Sequence, residues 1–248
     1  MQSRASRSLL TVVSSIALVA GLFIAVSEPA MAQRSKSPRG AKSADSKDSK
    51  PAPSSTMGAA TGKALNEAIE LLNAENYSGA SAKIGALNLD SLSPYERSKV
   101  EQILFNISYA QEKYGDARGH LQKAIDAGGL NEQEVQQARY QYAQLYMTEE
   151  KWKEGAAAIE QWLKSATNPN SGAYYLLAVA YYQQDDFKRA LPPARKAVEL
   201  MDPKNPQESW LAMLSSLYLQ RDEYSQSIPI LQQLISIAPE KKTYWMQL

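Results

Sequence analysis

The sequence predicts an all-α solenoid of about five paired-helix units, and two observations support this prediction. First, an aromatic residue is followed five times by a small residue three positions later and by an aliphatic or small residue seven positions later; an aliphatic or small residue also stands ten positions later in four units, and Trp162 in the other. Second, the units recur at a spacing of about 37 residues, and a fixed period of this size is typical of stacked repeat arrays. The lead aromatics are Tyr77, Tyr114, Trp152, Phe187 and Tyr224.

Each unit is predicted to contain two amphipathic helices. Positions zero, three, seven and ten from a lead aromatic lie on one face of an α-helix. A second helical pattern precedes the lead aromatic, with a small residue nine positions before it and a large residue six before it. Four units show the pairs Ala68 and Leu71, Ala143 and Tyr146, Ala178 and Tyr181, and Ser215 and Tyr218. In the unit of Tyr114 this pattern is shifted by one residue, to Asn106 and Tyr109.

This arrangement resembles the tetratricopeptide repeat. The clearest match runs from Ser171 to Pro203 and contains Leu177, Ala178, Tyr181, Asp186, Phe187, Ala190, Ala197 and Pro203. The resemblance extends from Thr61 to the end of the chain. It implies a right-handed solenoid of helix-turn-helix units that binds other proteins.

The last residues carry the pattern of a sixth unit. Trp245-Met246-Gln247-Leu248 matches Trp210-Leu211-Ala212-Met213 one period earlier. We expect the sequence to be a fragment of a longer array, in which Trp245 and Leu248 are core residues. The alternative is a lone cap, since solenoids normally end in a helix with a polar outer face.

Several residues predict where helices end or bend. Gly128-Gly129 predicts the end of a helix, followed by a cap at Asn131. Pro192-Pro193 and Pro229 fall inside second helices, where each proline removes a hydrogen bond and predicts a bend. Acidic pairs at the turn between the two helices of a unit are predicted to cap the second helix by placing negative charge at its N-terminus. These pairs are Glu149-Glu150, Asp185-Asp186 and Asp222-Glu223.

Residues 1–60 precede the repeats and form two segments. Residues 1–32 have a basic start, an apolar stretch and an Ala30-Met31-Ala32 site, which predicts a signal peptide cleaved after Ala32. The alternative is an uncleaved anchor, because Leu9–Val26 is just long enough to approach a bilayer span. Residues 33–60 are rich in Ser, Lys, Ala and Pro, which predicts a disordered linker. The repeat domain is assigned to residues 61–248.

Charge limits the classes of partner. The chain has a formal net charge of +1, and basic residues predominate in the linker, so the repeats are mildly acidic. An exported protein with a mildly acidic fold is not expected to bind nucleic acid. Membrane contact is expected only through the N-terminal segment or the basic linker. The linker is either a solvated spacer or is attracted to an anionic surface.

No set of residues suggests catalysis, so we predict that the protein is not an enzyme and uses no cofactor or metal. The chain has no cysteine and a single histidine, His120, and a lone histidine is a poor metal site. It has no glycine-rich phosphate loop and no nucleophile elbow. We interpret His120 as a packing residue on a second helix.

The resemblance implies a concave groove, lined by the first helices, in which a partner segment binds. Tyrosines with glutamines between them would make this surface neutral and amphipathic; the alternative is that the tyrosines fill space between units. A clamp for a terminal carboxylate would need a basic side chain at the positions of Tyr140, Tyr175 or Ala212, and none is present there. We therefore predict recognition of an internal segment of the partner. The groove residues are Gln137, Tyr140, Gln144, Tyr175, Val179, Tyr182, Gln183, Ser216 and Gln220.

We interpret the protein as an exported, periplasmic scaffold that mediates protein–protein interactions. The closing segment, Pro239–Leu248, resembles a stretch of proteobacterial tetratricopeptide proteins associated with TonB-type energy-transducing systems. That resemblance implies a partner among inner-membrane motor proteins or TonB-dependent transporters. The alternative is a cell-envelope factor that binds peptidoglycan, lipid or a secreted polymer, partly through the basic linker.

Overall fold

A computed structural model describes residues 56–248, and within this range the chain is entirely helical apart from its turns and loops. The prediction of an all-α repeat solenoid is therefore confirmed. The predicted signal peptide and nearly all of the predicted linker lie outside the described residues. The helices are α1 (Ala59–Asn73), α2 (Tyr77–Gly85), α3 (Pro94–Ala110), α4 (Tyr114–Asp126), α5 (Glu132–Thr148), α6 (Trp152–Leu163), α7 (Ser171–Tyr182), α8 (Phe187–Glu199), α9 (Glu208–Leu219), α10 (Tyr224–Ile237) and α11 (Lys242–Gln247), with a 3-10 turn at Leu89–Ser91.

The boundary between linker and repeats differs slightly from the prediction. Helix α1 begins at Ala59, so the last two residues assigned to the linker are helical. The backbone N–H of Gly58 donates to Glu96 at 3.0 Å, which ties the start of α1 to the start of α3. Glu96 also accepts from the Ser93 N–H at 2.9 Å in a capping box. These bonds lower the pKa of Glu96 to about 2, mainly because the Ser93 groups donate to its carboxylate.

Every lead aromatic is the first residue of the second helix of its unit, as the repeat predicts. The residue three positions later is small and buried in all five units, because there the two helices cross closely. At Gly155, for example, an added Cβ would lie 2.7 Å from Met147 Cε. The five crossing residues are Ala80, Ala117, Gly155, Ala190 and Ser227.

The turn between the two helices has the same geometry in each unit. The residue two positions before the lead aromatic is left-handed, with φ between 56° and 58°. L-amino acids other than glycine, asparagine and aspartate rarely adopt this conformation. In this chain the position is acidic every time. The five residues are Glu75, Glu112, Glu150, Asp185 and Asp222.

Replacing Glu150 by Gly is expected to raise the free energy of unfolding by about 0.5–1 kcal/mol. The change relieves about 1–2 kcal/mol of strain in the left-handed backbone conformation. Part of this gain is offset because glycine gives the unfolded chain more conformational entropy. Glu150 is exposed, so little packing is lost. Urea denaturation of the full chain measures the change. Glu154→Gly, at an exposed position inside α6, is the control and is expected to lower stability by about 1 kcal/mol. Equal losses of stability in both variants would contradict the claim that the backbone at Glu150 is strained.

The first helix of the second unit differs from the prediction. The Lys113 N–H donates to the Ser108 carbonyl at 2.9 Å, just as the Asp186 N–H donates to the Tyr181 carbonyl at 3.0 Å. The second unit is therefore in register, and the predicted shift to Asn106 and Tyr109 is wrong. Phe105 and Ser108, both buried, occupy the positions where the other units carry a small residue and then a large one. The two sizes are exchanged, which is why the sequence pattern looked displaced.

The acidic pairs lie just before the second helices α6, α8 and α10, where they place negative charge at the helix N-termini as predicted. Only Asp186 caps with its side chain, which accepts from the Arg189 N–H at 3.0 Å. Glu149 instead pairs with Arg118 of the preceding unit and with Lys151. Glu223 pairs with Arg221 at 2.6 Å. Three of the six carboxylates, Glu149, Asp186 and Glu223, thus also form ion pairs within or between units.

Helices α8 and α10 continue past their prolines, to Glu199 and Ile237; the bend at these sites stays a prediction. Beyond α10, helix α11 packs through Tyr244 against the cluster of Leu211, Leu231 and Leu234. Trp245 remains 55% exposed. None of the helices between residues 56 and 248 is both long and apolar enough to cross a membrane.

The inner face of the first helices as a candidate binding surface

The predicted groove residues belong to the first helices α5, α7 and α9 or directly follow them, and we call the side of the first helices that carries these positions the inner face. On α5 the split is clear. Ala138, Ala143 and Leu145 are buried, whereas Gln137 is exposed and Gln144 is half-buried. Since Gln137 and Gln144 are seven residues apart, they lie almost above one another on the helix. This helix therefore presents a polar stripe to the inner face.

Helix α7 contributes a more apolar and less accessible stretch. Val179, a predicted groove residue, is only 3% exposed, and its neighbour Leu176 is 7% exposed. Val179 is therefore a packing residue and is not free to contact a partner in this structure. Tyr175, Tyr182 and Gln183 remain half-buried on the same side of α7.

Each of the three predicted tyrosines packs against another aromatic ring. The Tyr140 ring lies 4.7 Å from that of Trp162, and the Tyr175 ring stacks on Trp210 at 5.0 Å and 20°. Tyr182 meets Phe187 edge-on at 5.3 Å. The alternative that these tyrosines fill space between units is therefore supported in part, because one side of each ring packs against another aromatic side chain.

Burial also acts on the tyrosine hydroxyls. Removal from water raises the pKa of Tyr140 and that of Tyr175 above the ordinary value. In helix α7, burial and a hydrogen bond to Glu160 raise the pKa of Tyr181 to about 12. Tyrosine hydroxyls are neutral near neutral pH even without such a shift. They can donate and accept hydrogen bonds but contribute no charge.

Contacts between neighbouring first helices make the inner face continuous. The Tyr182 hydroxyl on α7 is 3.3 Å from the Ser216 hydroxyl on α9 and is approached by Gln220 at 3.5 Å. Between α3 and α5, Lys99 pairs with Glu134 at 2.5 Å. The structure thus brings the predicted residues of α7 and α9 together. Those of α5 lie one unit away, joined through a core shared by α5, α7 and α9.

The inner face carries very little charge. Helix α7 contains no charged residue, and α9 contains only Glu208 at its first position. The Glu208 carboxylate accepts hydrogen bonds from Lys241 at 2.5 Å and from the Tyr244 hydroxyl. Lys99 is neutralised by Glu134. The prediction that this surface lacks a clamp for a terminal carboxylate is untested and stays a prediction.

Some residues that shape the surface were not predicted. Trp162 and Trp210 support Tyr140 and Tyr175, and Trp162 also donates to the Gln136 carbonyl at 2.9 Å. Their aromatic character was the available signal, but the pairing depends on how neighbouring helices meet. His120 pairs with Glu101 at 2.6 Å between α4 and α3, so it has a structural contact. Within the described range, no three His, Asp or Glu side chains gather in a way that could hold a metal ion.

Comparison with known proteins shows a relationship in fold. No protein-family model matches the chain, and no curated protein sequence matches it either. Among solved structures, MamA from Desulfovibrio magneticus RS-1 is 16% identical with a TM-score of 0.55, covering 75% of this chain and 99% of that one. A tetratricopeptide repeat protein from Parabacteroides merdae ATCC 43184 is also 16% identical, with a TM-score of 0.58 and coverage of 77% and 71%.

A third structure is that of YrrB, described as a tetratricopeptide repeat protein with an unusual peptide-binding site. It is 17% identical, with a TM-score of 0.55, and the match covers 74% of this chain and 89% of YrrB. At such identities the likeness concerns the fold alone. The described part of the chain has the tetratricopeptide-repeat fold, a helical-repeat solenoid.

Proposed function

We propose that the protein is a scaffold that binds a segment of a partner protein along its inner face. The observation that supports this best is the combination of half-buried tyrosines with free amide side chains on one continuous, almost uncharged surface. Tyrosine gives a large contact area at low entropic cost. The peptide-binding site named for YrrB is compatible with such a use of the fold.

We further propose that the scaffold is exported to the periplasm, with cleavage after Ala32. The basic start, the apolar stretch and the Ala30-Met31-Ala32 site support this proposal. Mass spectrometry of the protein isolated from cells tests it. A chain beginning at Gln33 is the expected result, and a chain beginning at Met1 would support the membrane-anchor alternative.

The partner class that we propose is a component of a TonB-type energy-transducing or transport complex. Support comes from the resemblance of Pro239–Leu248 to proteins associated with such systems. An envelope factor that binds peptidoglycan, lipid or a secreted polymer is the second candidate, and the excess of basic residues in the linker favours it. Deleting residues 33–55 leaves every described helix intact. Loss of envelope binding in that deletion would favour the second candidate.

Charge placed on the inner face is expected to abolish capture of the partner. The full-length, tagged protein is crosslinked in its own cell envelope, and captured proteins are identified by mass spectrometry. Introducing Gln137→Glu with Gln144→Glu should reduce specific capture by at least about tenfold, because two unpaired charges must be desolvated in the complex. Both side chains point away from the core, so the fold should be retained.

The matched control is Gln161→Glu with Gln232→Glu, which makes the same change at exposed positions on the second helices α6 and α10. Capture by the control should equal that of the unchanged protein. Equal capture by all three forms would move the binding site away from the inner face and contradict the proposal.

A further inference from the structure

We infer that the inner face binds an uncharged, extended polypeptide segment and holds it mainly through the main chain of that segment. This inference rests on the proposed function and adds the chemistry of the ligand. The arguments are the amide side chains on the inner face, the lack of charge around them, and their spacing along α5.

The inner face of α3, α5 and α7 is rich in amide side chains that have no partner within residues 56–248. Six of them are Gln102, Asn106, Gln137, Gln141, Gln144 and Gln183, all half-buried or exposed. Some other amides are engaged within the chain: Gln136 bonds to Ser165 at 3.2 Å, and Gln184 to the Ala180 carbonyl at 2.8 Å. The inner-face amides are thus available for a ligand.

An amide side chain is the natural complement of a peptide group. It offers both N–H donors and a carbonyl acceptor, as a peptide bond does, so the two can form a reciprocal pair of hydrogen bonds. Such bonds do not depend on the side chains of the ligand. A row of amides therefore favours recognition of an extended main chain over recognition of a particular sequence.

The electrostatics exclude a strongly charged ligand. Lys99 and Glu134 neutralise each other at 2.5 Å on the edge of the surface, and α7 adds no charge. A charged side chain entering this surface would lose hydration without gaining an opposite charge, which is costly. The preferred segment is consequently rich in uncharged residues.

The spacing on α5 fits an extended chain. Gln137 and Gln144 are seven residues apart, so they are separated by about 10 Å along the helix axis. An extended chain advances about 3.3 Å per residue and presents alternate peptide groups to one side. Gln137, Gln141 and Gln144 can therefore reach successive groups of a segment that follows α5.

A sugar polymer fits this surface less well. Recognition of a sugar ring uses a flat aromatic face that is open to solvent. The Tyr140 and Tyr175 rings are instead covered on one side by Trp162 and Trp210, and burial raises the pKa of both hydroxyls. The free groups on the inner face are amides, which match a peptide group as both donor and acceptor.

The test uses fluorescent peptides of about 15 residues, which in an extended form are long enough to follow the whole length of α5. One set contains only Gly, Ala, Ser, Thr and Asn, with blocked ends. A second set carries Lys or Glu at every third position, and a third has alternate peptide nitrogens methylated. Binding to the full-length protein is measured by anisotropy, with labelled, fully N-acetylated chitohexaose as an uncharged sugar probe. The Gln137→Glu and Gln144→Glu variant is compared with the Gln161→Glu and Gln232→Glu control.

We expect the uncharged set to bind, with a dissociation constant that changes less than about twofold between 50 and 500 mM NaCl, since screening affects only charged contacts. The charged and methylated sets should bind at least about tenfold more weakly, and so should the uncharged set with the inner-face variant. The control variant should bind normally.

Tighter binding of the charged set, or equal binding of the methylated set, would overturn the inference. If that binding were still lost in the inner-face variant, the proposed function would stand and only the ligand chemistry would be wrong. Binding of chitohexaose alone, or of no probe at all, would also overturn the inference; the capture experiment then decides the proposed function separately.

Discussion

Replacing Gly129 by Ala is expected to lower the free energy of unfolding by about 3 kcal/mol or more, because the new methyl group overpacks a site walled by backbone atoms. A Cβ at Gly129 would lie 2.3 Å from both the Pro94 carbonyl oxygen and the Tyr95 Cα. Backbone atoms at the start of α3 cannot turn aside as a flexible side chain can. The loop between the second and third units would have to move away from α3.

Hydrogen bonds hold that loop in place and prevent an easy escape. The Gly129 N–H donates to the Ser98 hydroxyl at 3.2 Å, and the same hydroxyl donates to the Ala124 carbonyl at 2.8 Å. Ser98 is fully buried. A displaced Gly129 would therefore leave a buried hydroxyl and a backbone N–H poorly paired, which adds to the steric cost.

The control for this experiment is Gly119→Ala. An added Cβ at Gly119, inside α4, meets nothing within 4 Å, so this variant should gain about 0.5–1 kcal/mol from the higher helix propensity of alanine. Urea denaturation, followed by circular dichroism, measures both variants. A Gly129→Ala protein as stable as the unchanged chain would show that the close approach of the loop to α3 is wrong.

The second large effect is expected at Phe105. Phe105→Ala should cost about 3–5 kcal/mol, because it leaves a cavity in the core between the second and third units. Phe105 is buried there with Leu121, Ala124 and Leu145. The neighbouring position Ser108 is also buried, and in three other units its equivalent is a tyrosine.

Adding Ser108→Tyr to Phe105→Ala is expected to restore about half of the lost stability, because the double variant recreates the order of small and large residues found in the other units. Ser108→Tyr alone should be destabilising by about 1–3 kcal/mol, since it overpacks the site. A double-mutant cycle measures the coupling. If the two losses simply add, the exchange of sizes between these positions is not what keeps the second unit in register.

The sequence was sufficient to predict the helical pairs, because the repeat acts locally. Crossing residues such as Ala190 recur at fixed offsets from the lead aromatic, so their burial follows from helix geometry. The register of the first helix in the second unit could not be predicted in this way. Exchanging Phe105 and Ser108 conserves volume but removes the expected pattern, and the true register is seen only in the structure, for example in the backbone hydrogen bond from Lys113.

The candidate surface was harder to predict, because it depends on contacts between units. Val179 stands at a predicted groove position, yet it is buried. The stacking of Tyr175 on Trp210 joins different units and has no local signal. Tyr244 was likewise missed, although it anchors α11 to Glu208 of α9. A one-dimensional pattern assigns residues to a helix face but does not say how much of that face a neighbouring unit covers.

The measurement that tests the central claim most directly is site-specific photo-crosslinking in cells. A photoreactive amino acid is placed in the full-length protein at Gln144 or Gln183 on the inner face, and at Gln161 on the second helix α6. Inner-face positions are predicted to crosslink to the same partner protein, and Gln161 to give no such product. Crosslinking to that partner from Gln161 alone, or equally from all three positions, would contradict binding along the inner face.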